Sequence, residues 1–153
     1  MNHQELRKLQ LLQTGSSHFG IFAEEIAAIV AWREPTPLPH APKAVLGVVS
    51  IQGRMLTVLD LATLHGQETI ANDAAAKQII ALRGDEQLAV AVNAVGETIQ
   101  LGAVDFTELA AKETAGTLVL GVLHREGVDV NILNLKELFP TAIQGRERRR
   151  RNF

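Results

Sequence analysis

The chain has no cysteine, no tyrosine, one tryptophan and only 4% aromatic residues in 153 positions. Without cysteine there is no thiol nucleophile, no disulfide frame and no thiolate-ligated metal, which suits a reducing compartment without requiring one. Nowhere do about 18 apolar residues run together, so no helical membrane span is expected. The opening MNHQELRKLQLLQTG mixes charges among its apolar residues and offers no continuous core for a signal peptide. The histidines, His3, His18, His40, His65 and His124, lack metal-binding spacing such as H-E-x-x-H. Ser16 and Ser17 precede His18, but a nucleophile needs a base against it and a third group orienting that base, and a Ser-Ser-His turn fits a hairpin better. Glu24 and Glu25 are adjacent, so on a strand their side chains point apart and make a poor acid–base pair. With no phosphate-cradling glycine loop either, no catalytic, metal or cofactor site is expected.

The formal charge of −2 conceals an asymmetry. Arg146, Arg148, Arg149, Arg150 and Arg151 against Glu147 put +4 into residues 146–153, which leaves −6 on the rest. A mildly acidic body is a poor phosphate-binding surface, because nucleic-acid affinity rests on clustered Lys and Arg. Mutual repulsion predicts a basic disordered tail over 141–153. Its functional readings are contact with anionic lipid or with nucleic acid.

What the chain does have is a repeat. Val45–Gly66, VLGVVSIQGRMLTVLDLATLHG, recurs without a gap at Val119–Pro140 as VLGVLHREGVDVNILNLKELFP, with eight of 22 paired positions identical. Each copy reads as strand, glycine turn, strand and short helix, so one β-unit is built twice. Asp60 is the expected cap of the first helix, closed at Gly66; Asn134 caps the second, stopped at Pro140.

The remaining chain reads mainly as short strands. Lys8–Thr14 and His18–Phe22 flank a turn at Gly15, Ser16 and Ser17, and Ala23–Trp32 reads as one turn followed by a strand. Trp32 serves either as core or as an interface anchor. Arg33–Lys43 carries prolines at 35, 37, 39 and 42 and is an extended loop, a stiff connector or a preformed partner ledge. Lys77–Arg83 turns at Gly84 and Asp85, a pair suited to a type II′ hairpin, into a strand over Gln87–Val95. Poor alternation there implies that both faces are covered. A strand ends near Leu101, and Asp105–Ala111 is a candidate helical turn. The fold class is all-β, two small barrels in tandem.

These residues resemble the CheW-type coupling domain of bacterial chemotaxis. Gly47-Val48-Val49-Ser50-Ile51-Gln52-Gly53, then Thr57-Val58-Leu59-Asp60-Leu61, fall on the family motif G-V-x-N-L-R-G-x-x-x-P-V-x-D-L. His18–Ile21, Ile26–Ile29 and Thr36–Pro42 are similar to its second strand, its V-x-E-I segment and its proline loop, and Gly84–Ile99 to its G-x-x-x-x-G-x-x-V-D-x-V stretch. Several positions depart from the pattern where binding would be argued: Gln52 replaces the motif arginine, Ala28 the glutamate, Thr57 the proline and Asn93 the aspartate.

The resemblance spans residues 8–140. It implies two SH3-like five-stranded β-barrel subdomains, interleaved and centred on 18–66 and 77–138, with short helices after the repeated strand pairs. It also implies a cytoplasmic, non-catalytic adaptor joining a chemoreceptor cytoplasmic tip to the regulatory domain of a CheA-like histidine kinase, with no cofactor. Together with apolar spacing it places partner contacts at Ile26, Ala28, Val30, Gln52, Gly53, Arg54, Val92 and Val95. The competing expectation is a tandem β-barrel nucleic-acid-binding protein using the arginine tail, which would need aromatic stacking platforms.

Overall fold

The computed structural model describes residues 7–67, 69, 77–102 and 118–143. Strands β1 (Arg7–Thr14) and β2 (Ser17–Phe22) form a hairpin, and a 3-10 turn (Ala23–Glu25) leads into β3 (Ile26–Ala31). After the proline segment come β4 (Val45–Ile51), β5 (Arg54–Asp60) and helix α1 (Leu61–Leu64). Then follow β6 (Gln78–Leu82), β7 (Leu88–Val92), β8 (Ala94–Leu101), β9 (Val119–Arg125) and β10 (Val128–Leu133). A 3-10 turn (Leu135–Glu137) runs directly into a helix, α2, over 138–143.

The strands form two five-stranded sheets, in the orders β3-β6-β7-β5-β4 and β8-β1-β2-β10-β9. Both follow one path. A hairpin (β4–β5 or β9–β10) pairs in parallel with a second hairpin (β7–β6 or β2–β1), which then pairs with an edge strand (β3 or β8). The all-β expectation holds, and each sheet curls round its own core as an open SH3-like barrel. The division at 18–66 and 77–138 does not follow the sheets, however. Strands β3 to β7 form one contiguous barrel, whereas the first hairpin and β8 to β10 form a split one. The hairpin completing each repeated unit follows the first copy but precedes the second. Dividing the chain between the copies therefore assigns β2, β6 and β7 to the wrong partners.

Three apolar clusters result. Val49, Ile51, Leu56, Val58 and Ile79 with four alanines fill the contiguous barrel. Leu9, Phe22, Leu101, Leu123, Val130 and Ile132 fill the split one. Between the barrels, Leu12, Phe19 and Ile21 meet Leu59, Ile80 and Val90, with Leu138 and Ala142 of α2 sealing the same cluster. This explains the poor alternation of β7, LAVAV, every residue of which is buried. Ala89 and Ala91 face the barrel interior while Leu88, Val90 and Val92 face the other barrel.

Local geometry corrects three further expectations. The strand expected over Gln87–Val95 breaks at Asn93, where the chain leaves one barrel for the other. Asn93 holds this crossing: its N–H donates to Gln13 O at 3.0 Å and its Oδ1 accepts from Gly15 N at 2.6 Å. At the opposite crossing, Arg83 N donates to Glu25 O at 2.9 Å. The β6–β7 connection spans residues 83–87, with positive φ at Gly84 and Gln87, so it is not a two-residue type II′ turn. Finally, α2 runs through Pro140 instead of stopping there. Proline lies in its first turn, where an N–H has no intrahelical partner to lose. The tail expected from 141 therefore begins inside a helix; residues 144–153 and the candidate turn Asp105–Ala111 lie outside the described residues.

Candidate protein-docking surfaces

Each repeated hairpin ends in the same turn. Gln52 and Gly53 have φ of 52° and 79°, and their counterparts Glu126 and Gly127 have 51° and 78°. Positive φ at both central residues is the mark of a type I′ turn, which matches the strand twist and favours glycine at the second position. With two residues in the turn, Arg54 pairs with Ile51 and Met55 with Ser50. Leu56 and Val58 then point into the barrel while Met55 points out, and it is 57% exposed.

Both tips are tied to neighbouring structure. Arg54 Nη2 donates to Gly84 O at 3.2 Å, joining the β4–β5 turn to the β6–β7 loop. In the split barrel, Arg125 Nη2 lies 2.5 Å from Glu97 Oε2 of β8 and 3.8 Å from Glu126 Oε2, while His124 contacts Asp129 across the hairpin. The first tip therefore offers a cation and an exposed thioether, the second a group of carboxylates partly compensated by Arg125.

Part of the proline segment is built into the contiguous barrel. Thr36 and Val48 exchange two backbone hydrogen bonds of 2.9 Å, and Arg33 Nη1 donates to Ser50 O at 2.6 Å. That approach depends on Gly47, whose φ is +142°; a Cβ there would lie 2.2 Å from Thr36 O. Leu38, further along the segment, is exposed.

A second surface follows the rim of the inter-barrel core, where Ile26, Val45, Leu64, Val95, Leu118 and Leu135 are only partly buried. The 3-10 turn at one end of this rim holds Glu25, whose carboxyl is pushed above its ordinary range chiefly by burial. Arg7 opposes that effect, Glu24 reinforces it and Lys136 opposes it. Arg7 also pairs with Glu24 at 3.0 Å and lies 3.6 Å over the Phe22 ring.

The eight anticipated contact residues do not form one patch. Gln52, Gly53 and Arg54 share the first hairpin tip, Gln52 and Gly53 being exposed and Arg54 half-buried. Ile26 and Val95 lie on the inter-barrel rim. A bulge between Ile26 and Ala28 changes which face the side chains take, so Ala28 and Val30 pack against the interior of the contiguous barrel. Val92 is 0% exposed within the inter-barrel core and presents nothing to a partner. Apolar spacing missed this because the face opposite the barrel interior is covered by the second barrel. Met55 is not among the eight, because the sequence suggests a turn over Gln52, Gly53 and Arg54, whereas the observed two-residue turn pairs Arg54 with Ile51 and leaves Met55 exposed.

Trp32 is half-buried against the contiguous barrel's core, with Lys77 Nζ 4.4 Å from its ring centroid. Phe19 and Phe22 are buried, so neither provides a base-stacking platform. Among the described residues, no three His, Asp or Glu side chains are grouped to hold a metal, and no helix is long and apolar enough to cross a membrane.

Comparison with known proteins agrees with this architecture. The chain is 26% identical over 137 residues to the chemotaxis protein CheW of Rhizobium meliloti (strain 1021), covering 88% of both sequences. It is 24% identical over 135 residues to a probable chemotaxis protein CheW of Rhizobium etli, covering 87% of both. The scaffolding protein TtCheW from Thermoanaerobacter tengcongensis superposes with a TM-score of 0.72 at 18% identity, over 85% of this chain and 90% of that one, a likeness of fold. The model of the CheW-like domain matches residues 8–142, and the chain belongs to the CheW-like domain family.

Proposed function

We propose that the chain is a non-catalytic cytoplasmic adaptor that couples a chemoreceptor cytoplasmic tip to the regulatory domain of a CheA-type histidine kinase. The observation carrying this reading is two separate exposed surfaces, the hairpin tip at Arg54 and Met55 and the partly buried rim at Ile26 and Val95, on two barrels that share one core. An adaptor needs separate surfaces for two partners. It also needs mechanical continuity between them, which the inter-barrel core and the hydrogen bonds at Asn93 supply. Binding at one surface then alters affinity at the other by a coupling free energy of typically about 1–3 kcal/mol.

Partner contacts fall to Gln52, Gly53, Arg54 and Met55 at the first tip and to Ile26 and Val95 on the rim. Gln52 lacks the charge and the five-donor fork of the arginine in the family motif, so this tip takes a partner surface with less demand for an anion contact. Arg54 retains one cation beside it.

Calorimetric titration with a kinase regulatory domain and a receptor tip from the same cell tests the reading. Met55→Asp is expected to weaken the kinase interaction at least tenfold while leaving the melting temperature nearly unchanged, since Met55 is exposed. Ile26→Asp is expected to weaken the receptor interaction. No measurable affinity of the unmodified chain for either partner would refute the proposal. A salt titration against RNA and DNA separates it from the nucleic-acid alternative, which requires binding that falls steeply with salt.

A further inference from the structure

We propose that Arg33 and Arg54 form a two-sided anion contact around the first hairpin tip, so that the partner docked there presents carboxylates on either side of an apolar group that covers Met55. The inference rests on the coupling reading and adds to it the chemistry of the partner face. Among the described residues, four arginine side chains form hydrogen bonds, and they divide by acceptor. Arg7 and Arg125 donate to the carboxylates of Glu24 and Glu97. Arg33 and Arg54 donate to the backbone carbonyls of Ser50 and Gly84, and among the described residues neither enters an ion pair. Each of these two guanidiniums is held in place through one N–H, while its charge and its other donors remain available to a partner.

Their positions bracket Met55. Arg33 lies at the outer edge of β4 beside Ser50, which faces Met55 across the hairpin. Arg54 reaches from β5 to the β6–β7 loop on the opposite side. Between them Met55 is 57% exposed and Ser50 is exposed. Gln52 leaves the apex of the turn uncharged, so the anion contacts fall on its flanks. Arg33 is exposed and opens the proline segment, which the two Thr36–Val48 hydrogen bonds fix against the sheet, so little ordering remains to be lost when it engages a partner. A protein face suits this arrangement better than a nucleic acid. Exposed Glu34, Asp85 and Glu86 are close in sequence to the two contact points and repel a continuous run of phosphates, whereas separate carboxylates can each meet a guanidinium in a paired, two-bond geometry. The thioether between them favours an apolar side chain over a phosphate backbone.

The test is calorimetric titration of the full chain with a CheA-type kinase regulatory domain and, separately, a receptor tip from the same cell, at low and high salt. Kinase binding is expected to weaken as salt rises. Arg33→Gln is expected to weaken it about fivefold and to flatten that salt dependence, while Arg33→Lys, which keeps the charge, stays within about twofold of the unmodified chain. Arg54→Gln is expected to act in the same direction, and the double variant more strongly than either, with circular dichroism confirming that all of them fold. Partner binding that is indifferent to Arg33→Gln would overturn this inference and leave the coupling reading standing. Equal losses in Arg33→Lys and Arg33→Gln would overturn it too, since a purely structural tie predicts them. No affinity of the unmodified chain for either partner would overturn both readings together. Duplex DNA bound more tightly than the kinase domain, or self-association in sedimentation, either of them lost in Arg33→Gln, would assign the two cations to a different occupant and overturn the proposal.

Discussion

In the contiguous barrel the interior is lined by Ala62, Ala81, Ala89 and Ala91 among five larger side chains, whereas the split barrel fills the equivalent space with Leu9, Phe22, Leu101, Leu123, Val130 and Ile132. Strand order, parallel pairing and hairpin turn are the same in both. Small side chains in the first interior allow close backbone packing, and Thr36 is drawn across the edge of β4 over Gly47. The second interior relies on bulk contributed by segments far apart in sequence. One path therefore supports two kinds of core, one in which alanines alternate with larger side chains and one filled by large side chains alone.

Truncation in the split barrel should have the largest effect. Leu9 is fully buried in β1, and Leu9→Ala is expected to cost about 2–5 kcal/mol in urea unfolding. In the contiguous barrel the sensitive change is an addition. Gly47→Ala forces a Cβ against Thr36 O at an unfavourable φ and should cost about 2–4 kcal/mol. Equal tolerance of alanine at Gly47 and at an exposed strand position would refute the dependence of the Thr36–Val48 pairing on close approach at Gly47.

The repeat provides an internal control at Asp60 and Asn134. Asp60 is fully buried and caps α1, accepting from Ala62 N and Thr63 Oγ1, both at 3.1 Å, and from Thr69 Oγ1. Asn134, at the corresponding position, makes no side-chain cap hydrogen bond. Asp60→Ala removes a buried cap that accepts three hydrogen bonds and should cost about 2–3 kcal/mol in the same unfolding assay, more than Asn134→Ala. Similar losses at both sites would mean that the two helical segments contribute alike.

The smallest effect concerns pH at the crossing into the contiguous barrel. Glu25 has a raised pKa, chiefly through burial, so the folded state binds its proton more readily than the unfolded state does. Stability contributed by the protonated form is present at low pH and is lost as pH rises from the ordinary 4.5 through the folded value. Glu25→Gln should therefore raise the melting temperature slightly at neutral pH, with the gain disappearing below pH 4.5. A gain that grew on acidification would show the opposite sign of shift.

Much of the local structure was legible because it follows from short-range chemistry. Glycine turns at Gly53 and Gly127, the Asp60 cap and the single turn before β3 each depend on a few neighbouring residues. The candidate docking surface was only partly legible. Gln52, Gly53 and Arg54 lie together because a turn determines their place, whereas Val92 is lost to the core because a distant barrel covers it. Likewise, the β-bulge in β3 sends Ala28 and Val30 away from Ile26, a displacement that no strict alternation predicts.

By itself the sequence determined the strand-rich class, the duplicated unit, its turns and the segregation of positive charge near Arg146–Arg151, since each is a property of adjacent residues or of composition. Only the tertiary structure decided which hairpin completes which barrel, where the chain crosses at Asn93 and which apolar face stays at the surface. The physical reason is that both barrels have the same strand-pairing path. Chain order alone leaves the exchange between them open until the shared core of Leu12, Phe19, Leu59 and Val90 closes around the crossings.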